Sequence, residues 1–195
     1  SYILEAVIAR LGNAPPEKAD ILVLPMQMIG DSTEHGDFPG TLSHDAETLI
    51  ANWIAIGEAV AEAGIRKLAI VNSHGGQPQI VDIVAQRLRA EFQMLALRIN
   101  TFALGVPEGL FSEDELAFGF HGGEVETSLM LSIAPALVEM SAAKNFSNLG
   151  TQIAKDNKIL RAEGAAAFAC AGDDRHRLLR EPPNMNSPEH EYHRT

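Results

Sequence analysis

Short apolar runs alternate with amphipathic stretches along this chain, and this order constrains the fold more than any other feature. The apolar runs suit strands buried on both faces, and they cover residues 21–28, 67–74 and 94–104. Apolar residues at helical spacing follow each run, within residues 47–65, 77–92 and 123–135. The order predicts an α/β fold of three layers, with a mainly parallel sheet, right-handed crossovers and helices on both faces.

The length of the chain, 195 residues, suits one domain. We predict a single α/β domain over residues 1–170 and an irregular C-terminal tail over residues 171–195. The tail is polar, contains proline and shows no useful periodicity.

Charge and composition narrow the expected partners. Fifteen basic against 26 acidic residues give a net charge of −11, and no basic stripe interrupts the first 150 residues, so we expect no nucleic acid partner. No run of about 18 apolar residues is present, so we expect no membrane span. The N-terminus lacks a basic segment followed by an apolar one, which predicts a cytoplasmic protein. Cys170 is the only cysteine, so any metal would be held by nitrogen and oxygen ligands.

Charged side chains crowd the loop that follows the first predicted strand. Within about a dozen positions the chain carries Glu34, His35, Asp37, His44 and Asp45. Such a group costs free energy unless the charges are solvated or a cation neutralises them. The loop is therefore either a solvated polar loop or part of a site for a divalent metal.

The second predicted strand ends in NSHGGQ, residues 72–77, which places His74 at the strand tip. Gly75 and Gly76 allow a sharp turn and leave space for a ligand beside the imidazole. A histidine that faces water, or a phosphate cradled by the two glycines, are alternatives. The phosphate alternative ranks low because the G-K-[ST] ending of a P-loop is missing.

A third polar cluster, HGGEVETS, covers residues 121–128. It supplies His121 and, at the start of a predicted helix, Glu124 and Glu126. Glu126 precedes an apolar run, so we expect it to face inward, while Glu124 suits the first turn through the helix dipole. Alternatively, both glutamates simply begin a helix.

The three clusters together favour a metal site. Ligands bind beyond the carboxyl ends of parallel strands, so the loops after the first two strands should meet at one rim. Carboxylates and imidazoles without thiolates suit one or two ions of zinc, manganese or iron. Such a site activates a water for hydrolysis. His121, where it is not a ligand, is placed to protonate a leaving amine.

Three segments, GDSTEHGDFPGTLSHD, NSHGGQ and HGGEVETS, resemble the motifs of the creatininase (creatinine amidohydrolase) family. Those motifs are a G-S-T-E-x-H-G loop, a strand ending in N-G-H-G-G-N, and H-A-G-x-x-E-T-S at a helix start. The resemblance covers roughly residues 19–140. It implies a three-layer α/β fold, a metal-dependent hydrolase acting on an amide or cyclic amide C–N bond of a small molecule, and a homo-oligomer such as a hexameric ring.

The resemblance also implies roles for single residues. It makes Glu34, His74 and Glu126 metal ligands, with Zn the first expectation and Mn or Fe the others. Asp45 matches an aspartate that bridges two metals, and His35 is a further ligand candidate. His121 matches the histidine that acts as an acid/base group beside the substrate.

The chain departs from the family motifs in its first loop. Glu34 and His35 are adjacent, whereas the family separates them by one residue, and in an extended loop this change turns the imidazole to the opposite side. Either the backbone bulges to restore His35, or Asp37 or His44 replaces it, or one of two metal positions is lost. Extra residues also precede Asp45 relative to the common L-P-x-x-T-D.

The motifs are compatible with more than one substrate and more than one activity. Gly76 stands where creatininase itself has a glutamate, so creatinine is not the expected substrate. Two other functions are compatible with the motifs: a family member that binds metal but no longer catalyses, and a hydrolase of a cyclic ketone or lactone. The loop over residues 105–120 offers side chains for an apolar pocket wall, or for ordinary core packing, namely Leu110, Phe111, Phe118 and Phe120.

Overall fold

The computed structural model describes residues 2–12, 21–145 and 148–160. Its helices are α1 (Tyr2–Gly12), α2 (Ala46–Glu62), α3 (Pro78–Phe92), α4 (Glu113–Phe118), α5 (Glu124–Ile133) and α6 (Leu149–Asp156). Its strands are β1 (Lys67–Asn72) and β2 (Leu95–Asn100). Four short 3₁₀ helices cover Thr33–His35, Thr101–Leu104, Pro135–Leu137 and Met140–Ala142. The predicted tail, residues 171–195, lies outside the described residues.

Strands β1 and β2 form a parallel pair joined through α3. Lys67 lies opposite Leu95, and Asn72 lies opposite Asn100 at the carboxyl end of the pair. A parallel connection through a helix is the unit that the alternating sequence pattern predicted, and the α/β class is confirmed. This register places the two asparagines side by side at the end of the sheet.

The core lies between α2, α3 and one face of the sheet. Helix α3 packs against both strands, and α2 packs against α3. The buried cluster consists of Leu49, Ile54, Ala61, Ile80, Val84, Leu88 and Met94. Leu68, Ile70 and Ala96 pack against it from the sheet. The core therefore holds the carboxyl end of β1 in a fixed place relative to the start of α3.

The helices begin where the sequence supplies caps. The side chain of Ser112 accepts a hydrogen bond from the Glu115 amide at the start of α4, and that of Asn148 caps α6 in the same way. Pro78 occupies the first turn of α3, where its missing N–H has no cost. Among the described helices, none combines the length and the apolar character needed to cross a bilayer.

The first predicted strand, residues 21–28, differs from the structure. The described sheet has two strands, and this run belongs to neither of them nor to a helix. Leu22 and Met28 are each 79 % exposed. Pro25 stands in the middle of the run, where it removes a backbone donor that a central strand needs.

The sheet is covered by helices on one face within the described part of the chain. On the face opposite the core, Val71, Leu95 and Leu97 stay nearly half exposed. The sequence pattern predicts helices on both faces, because a parallel sheet normally buries both. Among the described residues, helix α3 covers one face of the sheet, and the opposite face stays exposed.

Candidate active site

Glu34 lies in a 3₁₀ turn, Thr33–His35, and not in an extended loop. The side chain of Asp31 accepts hydrogen bonds from the Thr33 amide at 3.1 Å and from the Thr33 hydroxyl at 2.5 Å, which favours the turn. Successive side chains in a 3₁₀ turn are rotated by about 120°, less than the roughly 180° of an extended backbone, so neighbours need not point to opposite sides. The Nε2 atom of His35 is 3.7 Å from Oε1 of Glu34. A backbone turn, and not an extended loop, thus places the His35 ring beside the Glu34 carboxylate.

Glu34 and His74 are in direct contact, although they are 40 residues apart. Oε1 of Glu34 lies 2.8 Å from Nε2 of His74, and the Ser32 hydroxyl lies 3.3 Å from the same nitrogen. The Glu34 side chain is 17 % exposed, and that of His74 is 29 % exposed. The first two polar clusters therefore meet at the carboxyl end of β1, although residues 21–28 do not form the parallel strand on which that prediction relied.

Gly76 makes this contact possible. A Cβ atom at position 76 would overlap Oε1 of Glu34 and lie 2.7 Å from Nε2 of His74. The sequence indicated that this glycine leaves room for a ligand. In the structure, the room is filled by the Glu34 carboxylate.

His121 approaches the same site from the third cluster. The His121 and His35 ring centroids are 4.9 Å apart in an edge-to-face arrangement, and the His35 and His74 centroids are 6.1 Å apart. A pocket of about 440 Å³ opens beside the rings of His35 and His121. It is lined by Ser32, His35, Phe38, Thr41, Leu42 and His121.

The surroundings of His121 favour its neutral form. Partial burial of the ring lowers the pKa of His121, and the neighbouring His35 lowers it further. Glu126 and Glu34 act in the opposite direction without reversing the shift. The ring is therefore neutral at pH 7 and can accept a proton.

Glu126 holds the loop that presents His121. Its Oε2 atom accepts a hydrogen bond of 2.6 Å from the amide of Gly122. A glutamate in the first turn of a helix commonly reaches back to a preceding amide in this way. Glu126 is half-buried and Glu124 is exposed, in agreement with the inward and outward directions predicted for them.

Asp45 caps helix α2. Its Oδ1 atom accepts a hydrogen bond of 2.6 Å from the Thr48 amide, and this bond lowers the pKa of the Asp45 carboxyl. The favourable effect of the charged cap is complete above the ordinary pKa of 3.8 and is lost as the pH falls through the lowered value. Asp45 is also exposed.

Substitution of Asp45 separates capping from metal binding. We expect Asp45→Asn to leave the melting temperature unchanged, because asparagine is an equally good N-cap, and to lower the metal content if the Asp45 carboxylate is a ligand. Asp45→Ala should lower the melting temperature by about 2–4 °C through loss of the cap. Thermal unfolding and elemental analysis of both variants test this. An Asp45→Asn variant that melts normally but loses its metal would show that Asp45 is a ligand.

The carboxylate of Glu34 and the imidazoles of His35 and His74 meet here without a thiolate. These are donor types that bind divalent metals such as zinc. In the described ranges, no three or more His, Cys, Asp or Glu side chains are arranged as a metal site. The structure brings together Glu34, His35, His74 and His121. It shows Asp45 and Glu126 bonded to backbone amides instead.

Several residues at the site were not predicted. Phe38 and Leu42 line the pocket, whereas the loop over residues 105–120 does not. Glu115 accepts a hydrogen bond of 2.9 Å from the Val125 amide and so supports the start of α5. Gln77 bridges two parts of the site, and its place at the end of NSHGGQ was the only signal for it.

The chain is an α/β protein whose carboxylate and imidazole side chains gather at the carboxyl ends of its parallel strands, which is where α/β proteins bind their ligands. The family model for creatininase, described as creatinine amidohydrolase, matches residues 1–176. The chain therefore belongs to the creatininase family, which confirms the resemblance found in the three motifs.

The relatives of the chain include two kinds of named protein. It is 30 % identical over 140 residues to creatinine amidohydrolase of Pseudomonas putida, a match covering 64 % of this chain and 54 % of that protein. It is 30 % identical over 136 residues to the mycofactocin precursor peptide peptidase of Mycobacterium tuberculosis (strain ATCC 25618 / H37Rv), covering 69 % of this chain and 49 % of that one. The chain spans about half the length of the curated relatives it matches.

Solved structures of creatininases are also similar to the chain. A crystal structure of creatinine amidohydrolase matches with a TM-score of 0.48 and 24 % identity, covering 73 % of this chain and 58 % of that one. A substituted creatininase of the Zn-Zn type matches with a TM-score of 0.42 and 27 % identity, covering 57 % of this chain and 48 % of that one.

Proposed function

We propose that this protein is a metal-dependent hydrolase that cleaves an amide or cyclic amide C–N bond of a small molecule. The observation that carries the proposal is the contact of Glu34 with His74, with His35 and His121 beside it at the pocket. Membership of the creatininase family supports the hydrolytic class, since the named relatives are an amidohydrolase and peptidases.

Glu34, His35 and His74 would hold a divalent metal, with zinc the first expectation and manganese or iron the others. Bound there, such a metal supplies Lewis-acid activation of a water and of the scissile carbonyl. Asp45 and Glu126 would join as further ligands by giving up their hydrogen bonds to backbone amides.

His121 transfers the proton in this proposal. Its lowered pKa keeps the ring neutral, so it first accepts a proton from the attacking water. The protonated ring then donates this proton to the leaving nitrogen, which departs as a neutral amine. His35, packed edge-to-face at 4.9 Å, holds the His121 ring in place.

The pocket suits a small neutral substrate. Phe38 and Leu42 supply apolar surface, and Ser32 and Thr41 supply hydroxyl groups that can bind a carbonyl or an N–H. No lysine or arginine is among the described residues that line the pocket. We therefore favour an uncharged cyclic or short-chain amide over an anionic one.

We also propose that the protein forms a homo-oligomer, as the family resemblance implied. The supporting observation is the apolar surface left at the sheet face by Val71, Leu95 and Leu97, each close to half exposed. Light scattering of the purified chain tests this, and a monomer at micromolar concentration would contradict it.

Metal removal tests the proposed function. Purified protein should carry zinc, manganese or iron, and a chelator should abolish turnover of cyclic amides until metal is restored. Protein without metal and with full activity in chelator would refute the proposal. Bound metal without turnover on amides, formamides and lactones would favour a family member that binds without catalysing. Identification of the product would distinguish an amide from a lactone or ketone substrate.

A further inference from the structure

Asn72 is a buried polar side chain whose hydrogen-bonding groups are all used. Only 5 % of it is exposed. Its Nδ2 donates to the His74 carbonyl at 2.8 Å and to Oδ1 of Asn100 at 2.9 Å. Its Oδ1 accepts from the His74 amide at 3.2 Å and from Nε2 of Gln77 at 3.0 Å. Because the burial of an unsatisfied polar group is unfavourable, this set of bonds fixes the backbone of His74.

Gln77 extends this network to the loop that carries Glu34. While its Nε2 donates to Asn72, its Oε1 accepts a hydrogen bond of 3.0 Å from the Asp31 amide, 46 residues away in the chain. The approach is close, because a Cβ atom at Gly30 would overlap Oε1 of Gln77. One amide group thus binds the strand end and the loop at the same time.

Two hydrogen bonds close the base of the loop that carries Glu34. The Gly30 carbonyl accepts a hydrogen bond of 2.9 Å from the His44 amide, and the Ser32 amide donates to the Ser43 hydroxyl at 2.8 Å. The 3₁₀ turn with Glu34 begins immediately after this closure. A bond to Asp31 at the base therefore sets the position of the Glu34 carboxylate.

We infer that Gln77 is a positioning residue that sets the separation of Glu34 and His74, by clamping the base of the Glu34 loop to Asn72 at the end of β1. The metal-binding consequence of this inference rests on the proposed function, while the clamp itself does not. Outer-shell partners of this kind orient ligands that they do not replace.

The test compares Gln77→Met and Gln77→Asn with Gln79→Met in the full chain. Methionine keeps the length of the side chain without its amide, and asparagine keeps the amide but is too short to reach both partners. Gln79 is exposed in the same helical turn and is the matched control. Amide hydrogen exchange by NMR should accelerate about tenfold or more at Asp31 in both Gln77 variants and stay unchanged in the control. Zinc affinity, measured by chelator competition, should weaken by about 10–100-fold.

A double variant separates positioning from general stability. If Gln77 acts through Glu34, adding Gln77→Met to Glu34→Gln should cause no further loss of zinc affinity, whereas independent effects would add. Unchanged exchange at Asp31, or exchange accelerated equally throughout the core, would overturn the inference. If the parent protein binds no metal, the proposed function fails, and exchange at Asp31 alone decides whether the clamp exists.

Discussion

Glu34→Gln is expected to weaken metal binding and lower turnover together. The Glu34 carboxylate contacts both His74 and His35. Glutamine has the same shape, but it is neutral and can direct an N–H group at an imidazole nitrogen. We expect metal affinity to fall by more than the roughly 100-fold seen for outer-shell partners, because the charged donor itself is lost. Elemental analysis and kinetics on the same preparation measure both effects.

The control for this variant is Glu124→Gln. Glu124 is an exposed glutamate at the start of α5, and the same change there should leave metal content and turnover as in the parent. Both variants should unfold at nearly the parent temperature. A Glu34→Gln variant with full metal content and full turnover would exclude Glu34 from the site.

His121→Asn is expected to lose turnover while it retains metal. If His121 transfers the proton, kcat should fall by about 10²–10⁴-fold with little change in KM. In the parent, activity should rise with pH through the lowered pKa of His121 below 6.5, because the neutral ring is the active form. This limb of the pH profile should disappear in the variant. Steady-state kinetics between pH 4.5 and 8 measure it, in a range set by the ordinary histidine pKa of about 6.5.

The free energy of unfolding, like the activity, should increase with pH through the lowered pKa of His121. The folded state disfavours the protonated His121 ring, so the unfolded chain binds more protons below the ordinary pKa. The free energy of unfolding should therefore decrease as the pH falls below 6.5 in the parent, and less so in His121→Asn.

The control for His121→Asn is the same substitution at His44, an exposed histidine of the loop that carries Glu34. Equal losses of turnover in His44→Asn and His121→Asn would contradict the role of His121.

The β1–α3–β2 unit could be predicted from sequence because its signals are local and agree. Strand β1 begins at Lys67, as expected, and ends at Asn72, two residues earlier than the predicted run, because the Asn72 side chain there bonds the next turn. Helix α3 begins at Pro78, where a proline favours a helix start. Residues 21–28 were misread because an apolar run resembles a buried strand whether or not it finds a partner.

The geometry at Glu34 and His35 could not be predicted from their spacing alone. Their adjacency predicted opposite directions in an extended backbone. The short Asp31 side chain instead favours a 3₁₀ turn, in which both residues approach His74. The role of Asp45 as a helix cap was also not predicted. The family motif matches it to a bridging ligand, and in the structure its side chain accepts a hydrogen bond from the Thr48 amide.

By itself, the sequence determined the family, the α/β class and the polar clusters from which the site is built, because these depend on residue types and their order along the chain. Only the tertiary structure decided which of these side chains meet. Gly76 admits the Glu34 carboxylate beside His74, and Gln77 joins the end of β1 to Asp31, which lies 46 residues before Gln77 in the chain. Such contacts depend on a few tenths of an ångström of backbone placement, which the packing of α3 on the sheet sets and residue spacing does not record.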